Sequence, residues 1–185
     1  LNSHIISTGT ILYVSRIDTG KGWDVLIDAV SELKSRGKIA GKNIVFVGYG
    51  AQTELLEKKI KELDLLDCCS YLGPKNHHEL NELFNQADIM IFPTILYESL
   101  GLVGLEAMAC GCPVIGSNIG CLPEYIKDGI TGFLFEAGNS HELVERVIYF
   151  YKLTDKQRNA MRWQAVKTAG RYDSDEISRV LISKM

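Results

Sequence analysis

The sequence predicts an α/β fold built on a doubly wound parallel sheet of about six strands. Short runs that are apolar at both odd and even positions alternate along the chain with amphipathic segments. Runs of the first kind are typical of parallel strands that are covered on both faces. Strand–helix alternation is typical of a sheet with helices on both sides. The runs are 10–15, 43–47, 69–72, 89–92, 113–116 and 132–135.

The intervening segments have the spacing of helices that pack one face on a sheet. In the segment from Trp23 to Lys34, apolar residues recur at intervals of three and four, as in an amphipathic helix. Ligands of such sheets bind beyond the carboxyl ends of the strands, so the residues that follow each strand are the candidates for a site. The predicted helices are 23–34, 53–65, 76–86, 99–109, 140–153 and 154–169.

Length and composition fit one folded domain. With 185 residues, 46% of them hydrophobic, the chain can bury a substantial core. The net charge of −3 gives no long-range attraction for nucleic acid, and no apolar stretch reaches the ~20 residues that span a bilayer. Five cysteines without a CxxC pair favour reduced thiols in a cytoplasmic protein. We expect residues 1–9 to be a linker and residues 10–170 to form the domain.

The segment from Glu98 to Glu106 places two carboxylates around a glycine-containing stretch. It follows the predicted strand 89–92, and the predicted helix 99–109 opens within it. The free amides of the first helical turn, together with the positive end of the helix dipole, form an anion site. A nucleoside-diphosphate sugar, with hydroxyls at both ends and phosphates between them, suits this arrangement. Taken alone, the two glutamates also fit a solvated helix face.

A second group of polar residues follows the first predicted strand. Arg16 and Lys21 stand in this loop, and Gly20 and Gly22 allow a tight turn into the next helix. A guanidinium group can bind a phosphate through two parallel N–H groups, and a lysine adds a mobile point charge. The loop therefore predicts contacts to a diphosphate, with a solvated basic turn as the alternative interpretation.

These motifs, in this order, resemble the signature of retaining GT-B glycosyltransferases of the family 4 type. From the second glutamate onward the chain contains Glu106-Ala-Met-Ala109, Gly111-Cys-Pro-Val114 and Gly120-Cys-Leu-Pro-Glu124, as family members do. The residues from Arg16 to Gly22 match the family's phosphate-contacting loop. The resemblance extends over roughly residues 10 to 150. One departure is Ser99-Leu100, where many relatives have a small residue followed by Phe.

The resemblance implies a Rossmann-like domain that forms one half of a GT-B two-domain enzyme, the C-terminal, donor-binding half. Nothing in the chain matches the N-terminal acceptor-binding domain, so we expect the chain to be inactive without that partner. Residues 171–185 are expected to form the helix that crosses back to it.

The implied reaction moves a sugar from a nucleoside-diphosphate sugar to an acceptor hydroxyl with retention of anomeric configuration. No metal or cofactor is expected. The parent enzyme would be cytoplasmic, or peripheral at the inner membrane face.

The family also implies individual roles. The first glutamate bonds the sugar hydroxyls and the second bonds the ribose hydroxyls, which gives these roles to Glu98 and Glu106. Arg16 and Lys21 would stabilise the diphosphate leaving group, so Arg16, Lys21 and Glu98 are the catalytic candidates. The donor-binding candidates are Gly48, Gly50, Pro74, Lys75, Ser99, Leu100, Gly101, Leu102, Val103 and Glu106. Gly48 and Gly50 equally fit an ordinary tight turn, and the turn at Pro74 and Lys75 is where related enzymes seat the base.

Two other functions stay open at the level of sequence. A GT-B-fold sugar-nucleotide 2-epimerase grips a nucleoside diphosphate with a comparable domain, although it matches less well around residues 16–22. A non-catalytic nucleotide-sugar-binding module is the other, and the intact set of charged residues argues against it. The Asp173-Ser174-Asp175 sequence has the form used by metal-dependent glycosyltransferases, but a helix cap explains it better.

Overall fold

The computed structural model describes residues 8–172, and their six strands form one parallel sheet. The strands are β1 Thr10–Val14, β2 Asn43–Val47, β3 Cys69–Tyr71, β4 Ile89–Phe92, β5 Val114–Ser117 and β6 Gly132–Phe135. Their order across the sheet is β3-β2-β1-β4-β5-β6, and all neighbouring strands run parallel. The predicted doubly wound α/β fold is therefore confirmed.

Residues 8–172 contain seven α-helices, which include the six that the sequence predicts. The helices are α1 Trp23–Ser35, α2 Thr53–Glu62, α3 His77–Gln86, α4 Leu102–Ala109, α5 Leu122–Tyr125, α6 Ser140–Lys152 and α7 Asp155–Ala169. The helix predicted over 99–109 begins three residues later, because Gly101 before it has a left-handed backbone with a φ of 63°. The sequence does not predict α5, since a single turn is too short to show a period.

Side chains fix where two of the helices begin. At the start of α3, the Asn76 side chain accepts a hydrogen bond from the Glu79 amide, and the Glu79 carboxylate accepts one from the Asn76 amide. Thr154 and Gln157 form the same reciprocal arrangement before α7. Such capping boxes satisfy backbone donors that a helix end leaves without partners.

The sheet separates two apolar cores, one on each face. Along β1, Ile11 and Tyr13 lie in the core beneath α1, α2 and α6, whereas Leu12 and Val14 lie in the core beneath α3, α4 and α7. Successive side chains of a strand point to opposite faces. This burial on both sides explains why the strands are apolar at both parities.

The strand order reverses between β1 and β4, which are neighbours in the sheet although they are distant in sequence. Tyr13 of β1 stands opposite Ile91 of β4, so the loops that leave these two strands emerge side by side. One loop leads to α1 and carries residues 15–22, and the other leads to α4 and carries residues 93–101. A reversal of this kind creates the crevice in which doubly wound folds bind ligands.

The ends of the predicted domain are only partly described. Thr8 and Gly9 donate backbone hydrogen bonds of 3.0 and 2.9 Å to the two carboxylate oxygens of Asp88. The predicted crossing helix lies almost entirely outside the described residues, which end at Tyr172, and so does the Asp-x-Asp sequence at 173–175. The proposed bounds 1–9, 10–170 and 171–185 thus stay a prediction.

The cysteines are free thiols, as the sequence predicts. Four of them are buried and Cys110 is partly exposed. Burial raises the pKa of the Cys112 thiol to about 12, and it also raises the pKa of Cys121, so these thiols stay protonated at neutral pH.

None of the helices within residues 8–172 is long and apolar enough to cross a bilayer.

Candidate functional site

The loops after β1, β2 and β4 meet at the carboxyl edge of the sheet. Backbone hydrogen bonds join the first two: the Ile17 amide donates to the Tyr49 carbonyl at 3.2 Å, and the Gln52 amide donates to the Ile17 carbonyl at 2.9 Å. The Ile95 amide of the third loop donates to the Gly20 carbonyl at 2.9 Å. The structure therefore brings the predicted phosphate loop next to the segment that carries Glu98.

The β1–α1 loop is held from below by Tyr13. Its side chain is fully buried, and its hydroxyl lies 3.2 Å from the carbonyl oxygen of Arg16 and 3.3 Å from that of Lys21. Burial raises the pKa of Tyr13, so the phenol stays a neutral hydrogen-bond donor. In the sequence Tyr13 is recognisable only as a strand residue, because nothing in the strand pattern distinguishes a tyrosine that also holds a loop.

Arg16 is exposed and paired with a carboxylate of its own loop. Its guanidinium forms an ion pair with Asp18, and 77% of the Arg16 side chain is accessible to solvent. The other carboxylate oxygen of Asp18 accepts a 2.7 Å hydrogen bond from the Ala51 amide. That amide, assisted by Arg16, lowers the pKa of the Asp18 carboxyl. Asp18 thus joins the β1–α1 loop to the β2–α2 loop while it holds Arg16 at the surface.

This bridge predicts a pH effect on stability. The Asp18 pKa is lower in the native protein than in the unfolded chain, so its contribution is complete above the ordinary carboxyl pKa of ~3.9 and is lost as the pH falls through the native value. We expect Asp18→Asn to lose less stability than the wild type between pH 7 and pH 3, as measured by urea unfolding at both pH values. Asp28→Asn, on the exposed face of α1, is the control of the same chemical type. Equal losses in the wild type and Asp18→Asn would contradict the prediction.

Lys21 and Glu98, which are 77 residues apart in sequence, form an ion pair in the structure. The Lys21 Nζ atom lies 2.7 Å from Oε1 of Glu98. The two side chains are only 25% and 18% exposed, respectively. Lys21, which is predicted to bind the diphosphate, and Glu98, which is predicted to bind the sugar, therefore lie together where the loops after β1 and β4 meet. In this arrangement each of the two charges neutralises the other.

Thr94 completes this cluster, and the sequence analysis missed it. The side chain is fully buried, and its Oγ1 lies 3.2 Å from the same Glu98 oxygen that contacts Lys21. The available signal was its position, because Thr94 is a polar residue that follows the apolar run of β4 almost at once. Polar residues at strand carboxyl ends are where this fold places ligand contacts.

The N-terminus of α4 lies beside the ion pair. Leu102 and Val103 stand in the first turn of α4, where helix geometry leaves backbone N–H groups without partners inside the helix. The predicted anion site thus has its amides at these residues, with Gly101 as the N-cap. Ser99 and Leu100 are exposed and lie in the loop before the helix, outside its first turn.

Two glycines at this helix start are required by Tyr125. The Tyr125 hydroxyl donates a 3.1 Å hydrogen bond to the Gly101 carbonyl. A Cβ atom at Gly101 or at Gly104 would lie only 2.7 Å from that hydroxyl oxygen. Burial raises the pKa of Tyr125, so the donor stays protonated. The sequence gives no sign of this contact because Tyr125 is 24 residues away from Gly101.

Glu106 lies in the second turn of α4 and is half-buried. Within residues 8–172 its carboxylate has no hydrogen bond or ion pair to another residue. Glu98 and Glu106 therefore differ sharply, since the first is already occupied by Lys21 and the second is available. The ribose role that the resemblance implies for Glu106 stays a prediction, and its unpaired state is compatible with it.

The glycines of the β2–α2 loop have a neighbour within the protein. A Cβ atom at Gly48 would come well under 3.0 Å from the Ser15 carbonyl oxygen, and one at Gly50 would also come under 3.0 Å from the Ile17 carbonyl oxygen. Within the protein, both glycines closely approach the β1–α1 loop. This contact accounts for the Gly-x-Gly sequence as a tight turn. A donor contact of these glycines stays a prediction.

The turn after β3 carries the last two candidates. Pro74 is exposed, and the Lys75 ammonium forms a 3.0 Å ion pair with Glu79 in the first turn of α3. The Gly48 amide donates to the Gly73 carbonyl at 3.0 Å, so this turn joins the edge formed by the other loops. Its role in seating a base stays a prediction.

Known proteins share this architecture. The family model described as "Glycosyl transferases group 1" matches residues 7–168. A D-inositol 3-phosphate glycosyltransferase of Paenarthrobacter aurescens is 36% identical over 128 residues, which are 68% of this chain and 31% of that protein. The chain thus spans about a third of the curated relative's length.

Solved glycosyltransferase structures superpose on this chain. A complex of Anabaena HepE with UDP-glucose superposes with a TM-score of 0.79 at 26% identity, covering 95% of this chain and 49% of that one. The C-terminal domain of LpcC, a glycosyl transferase group 1 family protein of Francisella tularensis, superposes with a TM-score of 0.77 at 25% identity, covering 92% and 89%. Both the family model and these GT-B-type neighbours lead to the same conclusion: the chain belongs to the glycosyl transferases group 1 family.

Proposed function

We propose that the chain is the donor-binding domain of a retaining glycosyltransferase of the family 4 type. The observation that carries this proposal is the Lys21–Glu98 ion pair, which stands at the strand-order reversal beside the N-terminus of α4. A lysine that could bind a phosphate, a carboxylate that could bind hydroxyls and the amides of a helix N-terminus lie together there. A nucleoside-diphosphate sugar has groups that match each of the three.

Donor binding would exchange the ion pairs within the protein for ion pairs with the ligand. Lys21 and Arg16 would leave Glu98 and Asp18 for the diphosphate, and the helix amides of α4 would add hydrogen bonds to it. Glu98 would then accept hydrogen bonds from the sugar hydroxyls. Glu106, which has no partner within the described residues, would bond the ribose hydroxyls.

In the proposed reaction the bond between the anomeric carbon and the phosphate oxygen breaks, and that oxygen keeps the electron pair. The acceptor hydroxyl oxygen bonds to the anomeric carbon from the same face, which retains the configuration, and its proton passes to the diphosphate. Arg16 and Lys21 stabilise the charge that develops on the leaving group, as preorganised cations do. An acceptor-binding domain of the parent enzyme would supply the other wall of the cleft, and no metal is required.

Calorimetric titration tests the donor role. The chain is titrated with UDP, GDP, ADP and their glucose conjugates, and UDP-glucose comes first because HepE was solved in complex with it. We expect one nucleotide series to bind. Glu106→Ala should weaken that binding by about 10- to 100-fold, because hydrogen bonds to a charged group usually contribute about 1.5–3 kcal/mol to the free energy of binding. Glu57→Ala, an exposed glutamate in the middle of α2, should bind like the wild type.

Two outcomes would overturn the proposal. One is the absence of nucleotide binding both by this chain and by a parent enzyme that includes the acceptor domain. The other is equal affinity of Glu106→Ala and the wild type for the bound nucleotide. Conversion of a bound nucleotide sugar into its 2-epimer, followed by NMR, would support the epimerase instead.

A further inference from the structure

The hydroxyl of Thr94 lies at the centre of the contact between the two loops that form the site. Its Oγ1 lies 3.3 Å from the Gly20 carbonyl oxygen, 3.3 Å from the Leu96 carbonyl oxygen and 3.2 Å from Oε1 of Glu98. It also accepts a 3.2 Å hydrogen bond from the Leu96 amide. Thr94 is fully buried, so water does not compete for these contacts.

One hydroxyl proton has three acceptors within reach and can serve only one of them at a time. While Lys21 lies 2.7 Å from Glu98, the carboxylate oxygen already has a charged donor. The Thr94 proton is then available for either backbone carbonyl. A rotation about one bond redirects it to Glu98 without any movement of the backbone.

Backbone contacts that do not involve the hydroxyl also hold the two loops together. The Ile95 amide already donates a 2.9 Å hydrogen bond to the Gly20 carbonyl, and Gly22 lies tightly against the Pro93 carbonyl. These backbone contacts join the β1–α1 and β4–α4 loops by themselves. Loop docking therefore does not rest on the hydroxyl alone, and the only charged group it reaches among the residues that the structure describes is Glu98.

We propose that Thr94 is a positioning residue that takes the place of Lys21 as the hydrogen-bond donor to Glu98 when Lys21 engages the donor diphosphate. This inference rests on the proposed function. Glu98 is only 18% exposed, and a carboxylate with few water contacts needs a hydrogen-bond donor within the protein to hold its orientation. With the Thr94 proton on Oε1, the carboxylate keeps its orientation and can accept hydrogen bonds from the sugar hydroxyls.

The test compares binding of UDP-glucose with binding of UDP to this chain by calorimetry. Thr94→Val keeps the shape of the side chain and removes the hydroxyl, and Thr94→Ser keeps the hydroxyl. We expect Thr94→Val to weaken UDP-glucose binding about tenfold and UDP binding about twofold, because water reaches Glu98 when no sugar covers it. Thr94→Ser should restore both affinities to within about twofold of the wild type. In the Glu98→Gln background, Thr94→Val should have little further effect, since the two residues act together.

A role in folding alone would weaken binding of both ligands equally, and that result would overturn the inference. Unchanged affinity for UDP-glucose in Thr94→Val would overturn it as well. If Thr94→Val does not fold, Thr94→Cys, whose thiol is a weak donor, is measured in its place against the same expectations. Failure of the wild type to bind any nucleotide sugar is a different result, because it overturns the proposed function itself.

Discussion

Replacement of Gly22 by alanine is expected to cost about 2–5 kcal/mol of folding free energy. Gly22 has a φ of 76° and is the N-cap of α1, directly after Lys21. An added Cβ atom would lie well under 3.0 Å from the Pro93 carbonyl oxygen. Neither backbone can yield easily, so the substitution combines a left-handed conformation, which costs about 1–2 kcal/mol, with an overpacking cost of about 1–3 kcal/mol.

Gly37 provides the matched control for this experiment. Its φ is 65°, and an added Cβ atom would meet no heavy atom within 4 Å. Gly37→Ala should therefore show the conformational cost alone, about 1–2 kcal/mol. Urea unfolding of both variants separates the two contributions. Equal losses in Gly22→Ala and Gly37→Ala would mean that the contact between the loop and Pro93 does not restrict this position.

If Lys21 binds the diphosphate as proposed, its replacement by alanine is expected to weaken UDP binding by about 10- to 100-fold and to lower stability moderately. The loss follows from the removal of a charge-assisted contact to the diphosphate, usually about 1.5–3 kcal/mol. It also leaves the Glu98 carboxylate without its cation and next to a ligand of like charge. Stability should fall by about 1–3 kcal/mol, because Glu98 is only 18% exposed and loses its charged partner. Calorimetry and urea unfolding of the same preparation measure both effects.

The contribution of the orphaned carboxylate can be isolated with a double-mutant cycle. Glu98→Gln added to Lys21→Ala removes the like charge, so part of the lost UDP affinity should return. The recovery should shrink as salt is raised, since salt screens charges that are not deeply buried. A double variant that binds UDP no better than Lys21→Ala would show that Glu98 does not face the diphosphate.

Much of the fold could be predicted because its signals are local. The apolar runs on both parities mark the six strands, and the three- and four-residue spacing marks the long helices. The start of α4 was predicted wrongly by three residues. Small residues before an apolar segment indicate that a helix opens nearby, but the left-handed Gly101 that sets the first residue depends on its contact with Tyr125.

Of the candidate site, too, the sequence predicted the residues with a local signal and missed those whose importance depends on distant contacts. Arg16, Lys21 and Glu98 were predicted as candidates because charged residues that follow strands are visible in the sequence. Glu106 was predicted from its spacing to Glu98 and from the family resemblance. Thr94 and Asp18 were not assigned roles, because their importance comes from what lies opposite them. Asp18 reaches the amide of Ala51, 33 residues away, and no local pattern records such a pairing.

By itself, the sequence determined the order of strands and helices, the carboxyl edge as the place of the site, and the charged residues gathered there. The tertiary structure decided which of those charges meet. It pairs Lys21 with Glu98 and leaves Glu106 without a partner among the described residues. The reason is that secondary structure depends on neighbours along the chain, whereas an ion pair depends on the reversal of strand order that places β1 beside β4.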